Sequence, residues 1–219
     1  MDTAKQIINS SRYINHEVIP GNGFSPYTGY VVYRAYDKEL GKQVVIKSGG
    51  SPNTEHRSIL SEYEILRRIN YFGVIKVLGF GFDRDKSYFV MENHELGGRR
   101  SRWRELFKNM IETEVRQFCI VMITTLDKLR EIDMINEDIE MANIVASQVD
   151  RPILIDFGRA KYKKYMRMDL LTALHPDNNT RINAWVRELC GIGGKYAEEG
   201  AMHKDGNKLM RYLLEEWGN

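Results

Sequence analysis

The sequence predicts an α+β fold in which a strand-rich first half precedes a mostly helical second half. Runs rich in β-branched and aromatic residues occur at 30–33, 44–46 and 87–92, and glycine-containing or polar turns separate them. Apolar residues at helical spacing occupy 114–131 and 208–217. With 219 residues and 42% hydrophobic content, the chain can build a core in one domain or in two small lobes.

The charge and cysteine content argue against several classes of partner and site. A formal net charge of +2 gives no general attraction to nucleic acid or to a membrane, and no apolar run approaches the roughly 18 residues of a spanning helix. We therefore expect neither as a partner, and we expect a monomer. The two cysteines have no metal-binding or disulfide spacing, which favours a reducing compartment. A basic cluster is interpreted as a solvated face or a substrate contact: Lys161, Lys163, Lys164 and Arg167.

The stretch 134–161 contains the residues that point to chemistry. Asp138 and Asn143 stand five apart, and Asp156 follows thirteen residues later, where an apolar run opens into Asp-Phe-Gly. Phosphoryl transfer needs a carboxylate that orients the attacking hydroxyl and accepts its proton, and it needs oxygen ligands for Mg²⁺. Asp138 suits the first task, whereas Asn143 and Asp156 suit the second. Ordinary capping residues in two surface loops would not be expected in this order and spacing.

Two features upstream could bind the phosphates of a nucleotide. Glycines at Gly21, Gly23 and Gly29 would let backbone N–H groups approach phosphate oxygens, although the third glycine is late and Pro26 intervenes. Lys47 ends the apolar run 44–46. A lysine at a strand end is usually a solvated flank, but its place 18 residues after Gly29 favours phosphate binding.

Taken in order over residues 18–161, these motifs resemble those of protein kinases. The resemblance implies a two-lobed protein-kinase-like fold with a strongly reduced C-terminal lobe. We expect a variable leader over 1–17. An N-lobe of antiparallel sheet plus one helix would occupy 18–92, and a reduced, mostly helical C-lobe would occupy 93–219.

The resemblance also implies an ATP- and Mg²⁺-dependent protein kinase and a role for each residue. Asp138 is the catalytic base, and Asn143 and Asp156 bind the metal. Backbone groups near Glu92 and His94 hydrogen-bond adenine.

Glu62 lies in a helix predicted over 54–70 and is expected to pair with Lys47, holding its ammonium group against the α and β phosphates. Glu64 is the alternative partner. Two residues along a helix, it would face a different side.

The sequence shows no A-P-E triplet among the 61 residues after Gly158. In this the chain resembles the bacterial type III secreted effector kinases of plant pathogens that phosphorylate the host ninety-kilodalton heat-shock chaperone. That resemblance implies a constitutively active serine/threonine kinase, secreted by the bacterium into the host cytoplasm as a virulence effector that suppresses host immunity. Its substrate would be a folded host protein, suspected to be the chaperone, which phosphorylation would inactivate.

Two departures from the kinase pattern concern the catalytic loop. Asn136 and Glu137 replace His-Arg, so the arginine that reads an activation-loop phosphate is missing and activity should not depend on that phosphate. Glu140 stands where serine/threonine kinases usually carry a lysine. A carboxylate there would slow transfer unless Lys161 or another cation substitutes.

Two other functions remain open at this stage. A kinase-fold enzyme could instead phosphorylate a small molecule or transfer AMP to a protein, since fold does not fix chemistry. A non-catalytic nucleotide-binding pseudokinase is the third possibility, with Glu140 as its chief support. A protein kinase is favoured because all five chemical positions are filled: Lys47, Glu62, Asp138, Asn143 and Asp156.

Overall fold

The computed structural model describes residue 8 and the ranges 10–19, 30–49, 59–83, 86–136, 138–139 and 141–162. These residues form two compact units. The first takes the described residues as far as Asn70 together with Ile75–Asn93. The second takes Tyr71–Val74 together with the described residues from His94 onward.

The first unit is a five-stranded antiparallel sheet with one helix, α1 (Ile59–Leu66). The strand order is β1-β2-β3-β5-β4, and the helix packs against β3, β4 and β5. Alternating residues of β2 are buried, as expected for a sheet with one covered face, whereas residues 46–49 of β3 are all buried. The strands are β1 (Tyr13–Val18), β2 (Tyr30–Asp37), β3 (Lys42–Gly49), β4 (Val77–Asp83) and β5 (Lys86–Glu92).

An ion pair connects the segment before β1 to the turn between β2 and β3. Arg12 Nε and Nη2 donate to the two carboxylate oxygens of Asp37 at 2.9 and 2.7 Å. Asp37 is fully buried, and its Oδ1 also accepts the N–H groups of Glu39 and Leu40. The Arg12 guanidinium, with these N–H donors, holds the pKa of Asp37 below its usual value of 3.8. The carboxylate therefore organises the turn in its charged form.

The second unit contains two helices, α2 (Arg100–Asn109) and α3 (Glu112–Glu131), and several short strands. The apolar stripe of α3 is buried, including Phe118, Met122 and Leu129. Strand β10 pairs with β7, and β8 lies between β6 and β9. The strands are β6 (Leu96–Gly97), β7 (Met134–Asn136), β8 (Ile144–Ala146), β9 (Pro152–Leu154) and β10 (Ala160–Tyr162).

Trp103 of α2 anchors that helix to β8. The side chain is fully buried, packs edge-on against Phe118 with ring centroids 5.2 Å apart, and donates from Nε1 to the Ile144 carbonyl at 2.8 Å. Gly97 makes this approach possible because a Cβ there would lie 2.5 Å from the indole and 2.7 Å from that carbonyl oxygen. Its φ of +79° also lies in the left-handed region.

The predicted α+β class is confirmed, with the five-stranded sheet preceding α2 and α3 in the chain. The segment predicted as a leader over 1–17 contains most of β1, which the sequence reading did not foresee. The helix predicted over 54–70 is observed in part as α1, which ends at Leu66, so its predicted end at 70 is wrong; 54–58 lie outside the described residues. The predicted helix over 208–217 also lies outside them. Within the described residues, the helices are too short or too polar to span a membrane.

Replacing Asp37 by Asn should destabilise the protein by about 1–2 kcal/mol at pH 7, because a charge-assisted pair with Arg12 becomes a neutral contact. Since the folded pKa of Asp37 is depressed, its contribution is present above about pH 4 and is lost as pH falls through the folded pKa. Urea unfolding of both proteins between pH 7 and pH 3 should show the difference shrinking with acid. The control Glu39→Gln, at an exposed partner of Arg12, should change stability by less than about 0.5 kcal/mol. A difference that does not vary with pH would contradict the assignment.

Gly97→Ala should cost clearly more stability than Gly98→Ala. Both glycines have positive φ, so both variants pay about 1–2 kcal/mol for a left-handed alanine. Only Gly97 adds a clash with Trp103 and the Ile144 carbonyl, whereas a Cβ at Gly98 meets Val145 at an ordinary 3.6 Å. The clash should add about 1–3 kcal/mol, measured by urea unfolding. Equal losses for the two variants would show that the close approach does not matter.

Candidate active site

Lys47 and Glu62 form a buried ion pair in the first unit. The Lys47 ammonium, on β3, donates from Nζ to Glu62 Oε2 on α1 at 2.7 Å, and each residue is 4% exposed. The same ammonium lies 4.4 Å from the centre of the Tyr30 ring. A buried charge is tolerated when an opposite charge and hydrogen bonds compensate its lost hydration. The pairing is the one expected from the sequence, and it fixes the position of a single ammonium group.

Glu64 does not take this place. Its carboxylate accepts from Arg67 at 2.6 Å and lies 3.6 Å from Arg68, on a more exposed side of the chain. Two residues along an α-helix correspond to a rotation of about 200°, so Glu62 and Glu64 cannot both face β3. The structure therefore distinguishes the two candidates in favour of Glu62.

The residues expected to contact adenine end the first unit and begin the second. Glu92 is the last residue of β5, and its N–H donates to the Lys76 carbonyl at 3.1 Å. Of its two backbone groups, the carbonyl is therefore the candidate for a base contact. His94 is half-buried, lies between β5 and β6, and is the first residue after the boundary between the units. Gly21, Gly23 and Gly29, expected to contact phosphates, lie outside the described residues.

Asp138 and Asn143 are joined directly in the second unit. Asn143 Nδ2 donates to the Asp138 carbonyl at 2.8 Å and to its carboxylate Oδ2 at 3.0 Å. A short 3₁₀ turn, Met141–Asn143, delivers the amide to this position. Because the amide nitrogen makes these bonds, the amide presents its Oδ1 as a neutral oxygen ligand. The Asn143 carbonyl accepts from Ile155 N–H at 2.9 Å, which connects the loop to the residue before Asp156.

Asp156 follows β9 in the left-handed backbone region, with φ of +60°. Asp is one of the few residues that enters this region at modest cost. The conformation is held on both sides: Asp156 Oδ1 accepts from Gly158 N–H at 3.3 Å, and the Asp156 carbonyl accepts from Asn136 Nδ2 at 3.4 Å. The turn therefore orients the Asp156 side chain through contacts within the second unit.

Asn136 is the residue whose role the sequence analysis missed. Its amide donates to the Asp156 carbonyl and its Oδ1 accepts the Asp138 N–H at 3.1 Å, so one side chain ties the two carboxylate-bearing segments together. The residue is 1% exposed. The available signal was an asparagine at the end of the buried strand Met134–Asn136, because a buried amide requires partners.

The donors at this site fit Mg²⁺. Asn143 offers an amide oxygen and Asp156 a carboxylate, and both are the hard oxygen ligands that Mg²⁺ prefers. In the described part of the chain, no group of three or more His, Cys, Asp or Glu side chains could hold a metal. Mg²⁺ does not need such a cage, because it usually binds through one or two side chains together with substrate phosphates.

One cation lies beside the candidate base. Arg159 Nη1 is 3.7 Å from Asp138 Oδ1, and its side chain is 60% exposed. Arg159 immediately follows Asp-Phe-Gly, and the backbone beyond it enters β10. Glu137 and Glu140, which flank Asp138 in the sequence, lie outside the described residues.

Comparisons with known proteins give a consistent family. The chain is 26% identical over 173 residues to serine/threonine-protein kinase ULK3 of Xenopus laevis, covering 70% of this chain and 36% of the relative. It is 31% identical over 137 residues to human ULK3, covering 60% and 29%. A probable serine/threonine-protein kinase of Dictyostelium discoideum, samkC, is 27% identical over 124 residues, covering 56% and 14%. The chain thus spans about a third or less of the length of these curated relatives.

The protein kinase domain family matches residues 27–173, which is more than half of the chain. The matched segment contains the buried Lys47–Glu62 pair, the bonded Asp138 and Asn143, and Asp156. The chain therefore belongs to the protein kinase domain family.

Proposed function

We propose that this protein transfers the γ-phosphoryl group of ATP to a serine or threonine hydroxyl of another protein. The observation that carries the proposal is the bonding of Asn143 to both the carbonyl and the carboxylate of Asp138, which positions a base beside an oxygen ligand for Mg²⁺. The choice of serine or threonine as the phosphate acceptor rests on the relatives, each of which is named a serine/threonine-protein kinase. The base, the two metal ligands and the phosphate-binding ion pair are all occupied by residues able to perform these roles: Asp138, Asn143, Asp156, Lys47 and Glu62.

The transfer step follows from the geometry around Asp138. The substrate hydroxyl oxygen forms a bond to the γ-phosphorus while the bond from that phosphorus to the β,γ-bridging oxygen breaks, and ADP departs with the electron pair. The Asp138 carboxylate accepts the hydroxyl proton. It must lie about 2.6–3.2 Å from the hydroxyl to do so, and the bond from Asn143 Nδ2 to Asp138 Oδ2 restricts its orientation.

Asn143 Oδ1 and the Asp156 carboxylate are the groups that would hold Mg²⁺. When bound, the metal neutralises charge on the phosphates during transfer. The left-handed turn at Asp156, with the bond from Asn136 to the Asp156 carbonyl, sets the direction of that carboxylate. This pre-organisation lowers the cost of assembling the metal site.

In the first unit, Lys47 would bind the α and β phosphates, and Glu62 would hold its ammonium in place. The Glu92 carbonyl and the His94 backbone would contact adenine. The glycines at 21, 23 and 29 would contribute backbone N–H groups to the phosphates.

The finer assignment extends the resemblance to effector kinases. We propose a constitutively active virulence effector, delivered by a bacterium into the host cytoplasm, that phosphorylates and inactivates the host ninety-kilodalton heat-shock chaperone. Sequence supports this through the missing A-P-E triplet and the replacement of His-Arg by Asn136 and Glu137. The Asn136 amide adds support for constitutive activity, because it holds Asp138 and Asp156 through bonds that involve no phosphorylated residue.

Replacing Asp156 by Ala should abolish transfer of labelled γ-phosphate in a eukaryotic lysate supplied with ATP and Mg²⁺. The variant loses a metal ligand, so a decrease of at least about 10³-fold is expected. The matched control is Asp150→Ala, which removes a half-buried carboxylate from the turn before β9 and should retain wild-type activity within about threefold.

The pattern of label distinguishes the proposals. A band near ninety kilodaltons, absent with Asp156→Ala, is the expected result. Label on other proteins alone would keep the kinase and discard the chaperone. Transfer from α-labelled ATP would indicate AMP transfer, and label on a small molecule would indicate a small-molecule kinase. If nucleotide binds but wild-type protein transfers nothing, a non-catalytic module is the better description.

Glu62→Gln should raise the KM for ATP and reduce kcat/KM by about 10–100-fold, because the Lys47 ammonium loses its buried counter-charge. Glu64→Gln is the matched control, two residues along the same helix, and should lie within about threefold of wild type. Thermal unfolding with and without ATP and Mg²⁺ separates loss of binding from loss of fold. Similar effects of the two variants would contradict the assignment of Glu62.

A further inference from the structure

The catalytic loop carries negative charge, which disfavours phosphoryl transfer. Residues 134–143 contain three acidic side chains, Glu137, Asp138 and Glu140, and no basic one. Phosphoryl transfer moves negative charge between oxygens at the nucleotide, and fixed positive charge nearby lowers the barrier. Apart from Mg²⁺ and Lys47, a cation near the transferring group would therefore have to come from outside this loop.

Arg159 has the position and the freedom to be that cation. Its guanidinium lies 3.7 Å from the carboxylate of Asp138. Its backbone is fixed on both sides, because Ala160 N–H donates to the Phe157 carbonyl at 3.0 Å and Ala160 pairs with Asn136 between β10 and β7. The side chain itself is 60% exposed, so the guanidinium can move while its Cα stays in place.

We propose that Arg159 supplies the positive charge beside the transferring phosphoryl group, an inference that rests on the proposed kinase activity. A hydroxyl that donates to Asp138 Oδ1 lies about 2.6–3.2 Å from it, so a cation that contacts this oxygen starts within roughly 6–7 Å of the attacking hydroxyl oxygen. The planar guanidinium can donate two hydrogen bonds to one phosphoryl group. Arg159 exchanges its contact with Asp138 for the γ-phosphoryl oxygens when ATP binds. The bonds formed and broken are those of the transfer described above, and Arg159 neither gains nor loses a proton.

Lys161 is the competing source of charge. It lies in β10 opposite Ile135, and its side chain is half-buried. A half-buried side chain has less freedom to reorient than an exposed one. Arg159, by contrast, is 60% exposed and lies 3.7 Å from Asp138 Oδ1. The geometry therefore favours Arg159 over the cation that the sequence suggested first.

Two measurements on Arg159→Ala test the proposal. The kcat for transfer should fall at least about tenfold. This loss is smaller than the loss expected on removing a buried hydrogen-bond donor, because the Arg159 side chain is exposed. In isothermal titration calorimetry with Mg²⁺, the variant should bind the imido analogue of ATP about fivefold more weakly and ADP within about twofold of wild type. The γ-phosphoryl group is the difference between these ligands. Thermal unfolding should be unchanged.

Further variants distinguish a role of the Arg159 charge from a purely structural role of its side chain. Adding Glu140→Lys to Arg159→Ala should restore part of the lost kcat, and Arg159→Lys should lie between wild type and Arg159→Ala. The control Arg151→Ala removes an exposed arginine from the turn before β9 and should behave as wild type. A dominant effect of Lys161→Ala, with Arg159→Ala unaffected, would overturn the proposal.

The outcomes separate this inference from the proposed function. An active wild type with an equally active Arg159→Ala variant overturns the role of Arg159 and leaves the kinase assignment intact. An inactive wild type overturns the kinase assignment, and the calorimetric comparison still decides whether Arg159 contacts a γ-phosphoryl group. Equal loss of affinity for ADP and for the imido analogue also overturns the inference.

Discussion

The side-chain amide of Asn136 is the contact on which the candidate active site of the second unit depends. It bonds the backbone of Asp138 through one atom and the backbone of Asp156 through the other. The residue is buried, so water cannot easily replace either bond, and breaking one would leave a polar group unsatisfied. The bond from Ile155 to the Asn143 carbonyl reinforces the same link. Two segments far apart in sequence thus present their oxygen ligands as one structure.

Regular patterns made most of the fold predictable, whereas non-local contacts did not. The β-rich runs of β2, β3 and β5 and the apolar stripe of α3 depend on local periodicity, which a sequence displays. Strand β1 (Tyr13–Val18) escaped prediction because its residues are mostly exposed or half-buried and follow no clear alternation. Its place beside β2 is supported by the pair between Arg12 and Asp37, residues 25 positions apart. A sequence read locally does not reveal such a pair.

The candidate site shows the same division. Spacing selected Lys47, Glu62, Asp138, Asn143 and Asp156 as candidates, because chain order alone brings each to a recognisable position. Spacing could not choose a cation for the loop or give Asn136 a task. Both depend on how Asn136, Asp138 and Arg159 approach one another after β7 and β10 pair. Asn136 was read only as the loss of a histidine, yet the amide keeps a linking function that needs no charge.

The two ion pairs of the candidate machinery differ in burial, and that difference separates their roles. Lys47 and Glu62 are both buried, so removing either charge leaves the other buried without a counter-charge. The pair is therefore a fixed part of the structure. Arg159 and Asp138 are 60% and 26% exposed, and an exposed pair contributes only about 0–1 kcal/mol. Opening it to receive a phosphoryl group therefore costs little. A cation that must exchange a carboxylate for a phosphate during each turnover is better placed on the surface than in the core.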